Sequence, residues 1–325
     1  MSVNGKHLVH PLLLGVDSNV FKPVDKNSNK YLDFKKKILH NKDYNYIIFY
    51  NSRNINRKRV ANLILAYRMF CDNLTKEESN KCLLIMHSEK VLDAGTDLGA
   101  VCEAFAPMYN TLVVENRFLP EEMNLLYNLC DITCNISSNE GFGLSCAESL
   151  MAGLPVVVNV TGGLQDQIGQ TTDDGNPIEF TYDFGSNHIG RYKNHGVWAY
   201  TVWPEARYIQ GSPLTPYIFD DICKWEDVAT GIMYWYLMDK NDRIKCGLEG
   251  RRWAMNEGGI NKENMCKEFI NAMEFTFENF IPETVFSIHK SDDHFGHKMP
   301  FNSLGFDIPL IDHNEVKEQI KKVKI

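Results

Sequence analysis

The sequence predicts an α/β fold organised on a doubly wound parallel sheet, and two observations carry that prediction. Between residues 46 and 158, short apolar runs alternate with stretches in which apolar residues recur at helical spacing. Residues 135–164, NISSNEGFGLSCAESLMAGLPVVVNVTGGL, then place a glycine loop, a helix and a strand directly after an apolar strand. That order is a βαβ unit with an anion site at the helix N-terminus.

The elements follow in order. Residues 7–23 mix an apolar run with Gly15-Val16-Asp17 and end at Pro23, and the lysine-rich stretch 24–42 carries an amphipathic helix through Leu32, Phe34, Ile38 and Leu39. Residues 46–50 are apolar or aromatic throughout and predict a buried strand, followed by the polar loop NSRNINRKR. Val60, Leu63, Ile64, Tyr67, Met69 and Phe70 repeat at helical spacing. Strands are expected at 82–86 and 111–114, with a helix at 97–105 capped by Thr96 between them. Pro120 opens a helix over 121–130, a position where its missing N–H costs nothing. A strand at 131–136, a helix at 144–151, a strand at 155–158 and a turn at Gly162-Gly163 complete the βαβ unit.

From Gly169 to Asp221 the alternation stops, and the stretch is rich in Gly, Pro, Asn, Asp and aromatic residues. It is too long for a plain connection and reads as an ordered insertion with a few short strands. Helical patterns return at 225–238, 242–256 and 262–280, and the tail ends in a basic amphipathic helix at 314–324. The expected organisation is a linker-like segment 1–44, a domain 45–280 with the insertion 169–221, and a tail 281–325.

Composition narrows the function. The chain has 325 residues and a net charge of −8, which argues against a nucleic acid or an anionic membrane as partner. No apolar run reaches the roughly 20 residues that span a bilayer, and the first residues lack the flanks of a signal peptide. Nine cysteines, an odd number lying mostly in apolar stretches, fit reduced buried thiols in a cytoplasmic protein. Cys130 and Cys134 are a close pair with no histidine nearby and read as core, not as a zinc site.

The chemistry concentrates at the glycine loop. Gly141 and Gly143 let backbone approach a ligand, and the N–H groups of Phe142, Gly143 and Leu144 have no intrahelical acceptor. A phosphate there also gains roughly 0.3–1 kcal/mol from the helix dipole. Glu140 precedes the loop, and Glu148, one turn into the helix, leans back toward the same place. A carboxylate is a poor neighbour for a pyrophosphate but a good bidentate acceptor for vicinal hydroxyls. On spacing alone the two glutamates also fit a solvated loop residue and a surface helix position. A glycosidase acid/base pair would need them on opposite sides of a sugar, and one shared glycine loop argues against that.

The run Glu140-Gly-Phe-Gly-Leu-Ser-Cys-Ala-Glu148 resembles the E-x7-E motif of the retaining GT-B glycosyltransferases of family GT4. The following AGLPVVVNVTGG is similar to that family's next strand and turn, and HPLLLGVDSNVFKP to its interdomain linker. Arg53 and Lys58, five residues apart after the first strand, resemble its phosphate-binding Arg/Lys pair, and FLPEEMNLLYNLCDI the stretch before the E-x7-E strand.

The resemblance implies a Rossmann-like donor-binding half. In it Glu140 holds hydroxyls of the donor sugar and Glu148 those of the ribose, while Phe142, Gly143 and Leu144 offer N–H groups. Arg53 and Lys58 clamp the diphosphate and stabilise the charge that builds on the leaving group. If they suffice no divalent metal is needed, and no Asp-x-Asp motif is present to hold one. The donor is a UDP-, ADP- or GDP-sugar. The bland alternatives remain open for the other positions. Arg53, Arg57, Lys58 and Arg59 also fit a solvated basic cluster, with Arg57 and Arg59 at the surface or capping. His87 faces the cleft or is a satisfied loop histidine. Gly162 and Gly163 line the phosphate end or form a tight turn, and Arg117 and Phe118 border the base pocket or simply pack.

Because the resemblance starts at the linker, the acceptor-binding half is expected on a separate polypeptide, or rebuilt from 169–221 and the tail. The other expectation is a catalytically incompetent nucleotide-sugar-binding or regulatory subunit.

Overall fold

A computed structural model describes residues 2–3, 6–7, 12–178, 192–210 and 217–280. A two-residue antiparallel pair, β1 (Ser2–Val3) with β2 (Lys6–His7), opens the chain. Then come α1 (Asn29–Leu39), β3 (Tyr46–Asn51), α2 (Val60–Asp72), the single turn α3 (Lys76–Ser79) and β4 (Cys82–His87). They are followed by α4 (Leu98–Phe105), β5 (Thr111–Val114), α5 (Pro120–Leu129), β6 (Ile132–Asn135), α6 (Leu144–Ala152) and β7 (Val156–Asn159). The last group is β8 (Ala199–Val202), β9 (Pro204–Ile209), β10 (Phe219–Cys223), α7 (Trp225–Leu237), α8 (Lys240–Met255) and α9 (Lys262–Asn279).

Six strands form one parallel sheet in the order β5-β4-β3-β6-β7-β8. Strand side chains alternate between faces, and both faces are covered. Ile47, Phe49, Val156 and Val158 pack with Phe34, Leu126, Tyr127, Leu150 and Ala254 from α1, α5, α6 and α8. Tyr46, Ile48, Tyr50 and Val157 pack with Leu63, Tyr67, Leu98, Ile232 and Trp235 from α2, α4 and α7. Burial on both faces is why these strands read as unbroken apolar runs rather than alternating ones.

The winding reverses between β3 and β6. In an open parallel sheet, the crevice beyond the carboxyl ends of the strands at this reversal is where ligands bind. β3, β4, β6 and β7 each end there on a polar residue: Asn51, His87, Asn135 and Asn159.

Three expectations need correction. The stretch 169–221 is not purely an insertion, because β8 joins the main sheet as its edge strand, and β9 pairs β10 in an antiparallel hairpin. Asp97, not Thr96, caps α4, its side chain accepting from the Ala100 N–H at 3.0 Å. Leu32 on α1 and Met69 on α2 are exposed, and Tyr31 takes the buried place that Leu32 was expected to hold. The polar loop after β3 contains a 3₁₀ turn, Asn56–Lys58, which brings Arg57 and Lys58 to Glu140. The expected helix at 314–324 lies outside the described residues. Among the described residues no helix is long and apolar enough to cross a membrane.

Candidate nucleotide-sugar site

A cleft of about 670 Å³ opens at the carboxyl edge of β3, β4 and β6. Asn51, Ser52 and Arg53 line it after β3, Lys58 from the 3₁₀ turn, and His87 from the end of β4. Asn116 and Arg117 close the side after β5, and Glu140, Phe142, Gly143, Leu144, Ser145 and Glu148 the other side. The fold therefore brings Arg53, Lys58, Glu140 and Glu148 to one cavity at the winding reversal.

The glycine loop is held by its own backbone and by the turn that follows β7. Gly143 has φ +92° and caps α6, a conformation that L side chains rarely adopt. Gln167, at the end of the 3₁₀ turn Gly162–Gln167, donates its Nε2 to the carbonyls of Phe142 and Gly143. The first N–H groups of α6 face the cleft end of the helix with no intrahelical acceptor. Gly141 has open space where a β-carbon would go, so only Gly143 of the pair is required for backbone geometry.

Glu140 is buried and sits in an ion cluster. Its Oε1 pairs with Lys58 Nζ and accepts from Ser137 Oγ at 3.1 Å, and its Oε2 pairs with Arg57 Nη1 at 3.2 Å. Burial alone would push its carboxyl up, but the Lys58 ammonium and the Arg57 guanidinium outweigh it and hold it below its ordinary value. Arg57, expected at the surface, also donates to the Asn139 carbonyl at 2.6 Å and so helps shape the loop. Arg53 is different: its side chain is 71% exposed at the cleft wall and pairs with Glu89 at 3.8 Å. Arg59 pairs with Asp220 on β10, outside the cleft, at 3.4 Å.

Glu148 has no ion pair among the described residues. Its Oε2 lies 2.8 Å from the Tyr127 hydroxyl and 3.5 Å from Asn51 Nδ2. Burial pushes its carboxyl up to about 7, with the Tyr127 hydrogen bond pulling the other way. His87 is both in the cleft and satisfied, Nδ1 lying 2.8 Å from Asn51 Oδ1 and Nε2 2.9 Å from the Asn116 carbonyl.

Gly162, Gly163 and Phe118 stand behind the cleft, not on it. The Gly163 N–H donates to the Glu140 carbonyl at 2.9 Å, so the diglycine turn buttresses the loop. Phe118 packs edge-on against Phe34 at 5.7 Å and against the His87 ring at 5.6 Å. Sequence reasoning missed Asn51, Tyr127 and Ser137. A tyrosine in an amphipathic helix looks like core, and Tyr127 is fully buried; only its hydroxyl reaches the site.

Residues 95–181 match the family model for glycosyl transferases group 1. The matched segment contains the glycine loop with Glu140 and Glu148, and stops short of Arg53 and Lys58. No curated protein sequence matches the chain at a significant level. Among solved structures, a glycosyltransferase from Rickettsia africae is 17% identical with a TM-score of 0.54, covering 82% of this chain and 57% of its own. Sucrose-phosphate synthase from Thermosynechococcus elongatus is 16% identical with a TM-score of 0.53, covering 82% and 52%. Anabaena HepE, in a complex with UDP-glucose, is 15% identical with a TM-score of 0.54, covering 81% and 56%. At these identities the likeness is one of fold: the six-stranded sheet and its helices match those of GT-B glycosyltransferases. The chain spans little more than half the length of these three structures.

Proposed function

We propose that the chain is the donor-binding part of a retaining glycosyltransferase of family GT4, taking a nucleoside-diphosphate sugar in the cleft at the β3/β6 reversal. One observation carries this reading. A hydroxyl-accepting pair, Glu140 and Glu148, flanks the free N–H groups of α6 in the same cavity as Lys58 and Arg53, inside or beside the segment that matches the glycosyl transferases group 1 model.

In this reading Glu148 accepts the ribose hydroxyls, and Glu140 uses lone pairs left free by Lys58, Arg57 and Ser137 for hydroxyls of the sugar. The diphosphate lies over the N-terminus of α6 with Lys58 and Arg53 beside it. When the glycosidic bond breaks, its electron pair leaves on the diphosphate, and those cations and N–H dipoles lower the barrier where the charge builds. These groups supply the positive potential, and the reading assigns no divalent ion. The free, mostly buried cysteines favour a reducing compartment such as the cytoplasm.

A second reading is a nucleotide-sugar-binding or regulatory subunit without transfer activity, and the Lys58 ammonium favours it by being paired with Glu140 rather than free to meet a leaving group. Calorimetry with UDP, ADP, GDP and their sugars tests donor binding, with UDP-glucose first because HepE was solved with it. Glu148→Ala is expected to weaken binding by tenfold or more, and unchanged affinity removes the ribose assignment. Release of nucleoside diphosphate with a candidate acceptor chain then separates enzyme from binder.

A further inference from the structure

The Tyr127 hydroxyl has more acceptors around it than it has protons. It lies 2.9 Å from Asn51 Nδ2, 3.1 Å from the Ser145 carbonyl and 2.8 Å from Glu148 Oε2. Asn51 can only donate from that nitrogen, and its Oδ1 lies 2.8 Å from His87 Nδ1 on the other side. The hydroxyl therefore uses its single hydrogen for either Ser145 or Glu148. With Glu148 ionised, one of two close oxygen–oxygen contacts has no hydrogen between its atoms. A proton on Glu148 resolves this: the carboxyl donates to Tyr127, Tyr127 donates to Ser145, and every group is satisfied.

The surrounding charges do not supply that proton's equivalent. Lys58 is spent on Glu140, and Arg53 is exposed beside Glu89. His87 reaches Glu148 only through Asn51, and Glu115 and Arg117 line the far wall after β5. No cation pairs with Glu148 among the described residues, in keeping with a carboxyl that burial raises toward neutrality.

Resting on the assignment of Glu148 to the ribose, we propose that Glu148, buried without a cation and positioned by the Tyr127 hydroxyl, rests as a proton-bearing acid in the empty cleft, so that capture of a vicinal diol requires release of that proton. A cis-diol brings two O–H donors to the carboxylate and takes over the role that the proton played. The atoms balance simply: the proton leaves to solvent or buffer, and two hydroxyl hydrogen bonds form on the ionised carboxylate. Nucleotide affinity therefore rises with pH through neutrality by up to about tenfold per unit.

The experiment is calorimetry on the full chain at pH 6 and pH 8.5, in buffers of differing ionisation enthalpy. The probes are UDP, ADP and GDP, each with its 2′,3′-dideoxy counterpart. The terminal phosphate, with a second pKa of about 6, sheds the same protons in both forms, so the ribonucleotide is expected to release about one proton more than its dideoxy counterpart at pH 6 and no more than it at pH 8.5. Tyr127→Phe is expected to move the pH midpoint of release upward, because Glu148 loses the hydrogen bond that favours its charged form. Glu148→Gln keeps the shape and is expected to release no proton beyond that of the dideoxy form, which provides a second test if the phenylalanine variant does not fold. Ribonucleotide binding without proton release at pH 6, or release equal for the dideoxy form, overturns the proposal while leaving the donor-site reading standing. Failure of every nucleotide to bind overturns both.

Discussion

The Glu140 carbonyl oxygen accepts a hydrogen bond from the Gly163 N–H at 2.9 Å, tying the glycine loop to the turn after β7 backbone to backbone. The contact leaves no room for side chains. A β-carbon on Gly162 would fall inside the radius of the same carbonyl oxygen, and Gly162 itself has φ +47°. Gly162→Ala is therefore expected to destabilise the protein by about 2 kcal/mol or more from the left-handed backbone and the clash together. It should also displace Glu140 and lower nucleotide affinity at least tenfold. Gly141→Ala is the contrast, since nothing lies within 4 Å of its β-carbon position. Its stability should change by no more than about 0.5 kcal/mol. Thermal melts and nucleotide titrations of the two variants check the difference, and equal losses of stability would remove the buttress.

How much of this was legible depends on the physics behind each signal. Strands buried on both faces gave continuous apolar runs, so β3, β4 and β7 stood out within a residue of their observed places. β8 did not, because AYTV is four residues long inside an aromatic-rich stretch whose composition resembles a loop lobe. The two carboxylates stood out through the E-x7-E resemblance, because their spacing alone fits a solvated loop residue and a surface helix position equally well. Which cation meets Glu140 was only half legible. In the run Asn56-Arg57-Lys58-Arg59 nothing linear says that a 3₁₀ turn sends Arg57 and Lys58 inward, while Arg59, in the left-handed region at φ 53°, turns to Asp220. The role of Tyr127 lives in a single hydroxyl oxygen and leaves no periodic trace.

A stability control lies at the opposite edge of the sheet. Arg243 on α8 donates to Asp131 at 2.9 Å and to the Trp235 carbonyl at 2.8 Å, and its guanidinium lies over the Tyr46 ring at 5.0 Å. Asp131 in turn accepts from the Ile47 N–H at 2.9 Å. With side-chain exposures of 6% and 18%, breaking the pair leaves a largely buried charge without its partner. Arg243→Met is expected to cost about 3–5 kcal/mol by denaturant titration. Nucleotide affinity of the remaining folded protein should not change, because none of these residues lines the cleft. A large change in affinity with little loss of stability would contradict the assignment of this pair to the scaffold.

Lys58 is expected to affect both properties. Lys58→Met strips the closest cation from a buried carboxylate and leaves only Arg57, so a loss of about 2–4 kcal/mol is expected. In Lys58→Met/Glu140→Gln the loss should be smaller than the sum of the single variants, because the buried carboxylate is gone and the Arg57 charge left behind is 40% exposed. Glu140 is held below its ordinary value, so its contribution to stability is present above the unfolded carboxyl pKa of 4.5 and is lost as pH falls through the lower folded value. Acid unfolding of the wild type should begin below pH 4.5, and the double variant should lose this component. Additive losses would show that the two side chains act separately.

Glu148 is expected to behave in the opposite sense. Its folded carboxyl is raised from 4.5 to about 7, so the folded state binds the extra proton throughout that interval. Raising the pH from 4.5 to 7 therefore removes stability from the ligand-free protein, and above 7 the loss is complete, on the order of 3 kcal/mol. Glu148→Gln removes this penalty and can still donate to the Tyr127 oxygen, so at pH 8 it should melt higher than wild type. The same change removes an acceptor for the ribose diol and should weaken nucleotide binding tenfold or more. Stability and affinity thus move apart in one variant, with the gap closing as pH falls to 5. Melting curves across pH 5–8 with and without nucleotide measure both. A Glu148→Gln protein less stable than wild type at pH 8 would place the carboxylate in a favourable native contact and remove the basis for its proton.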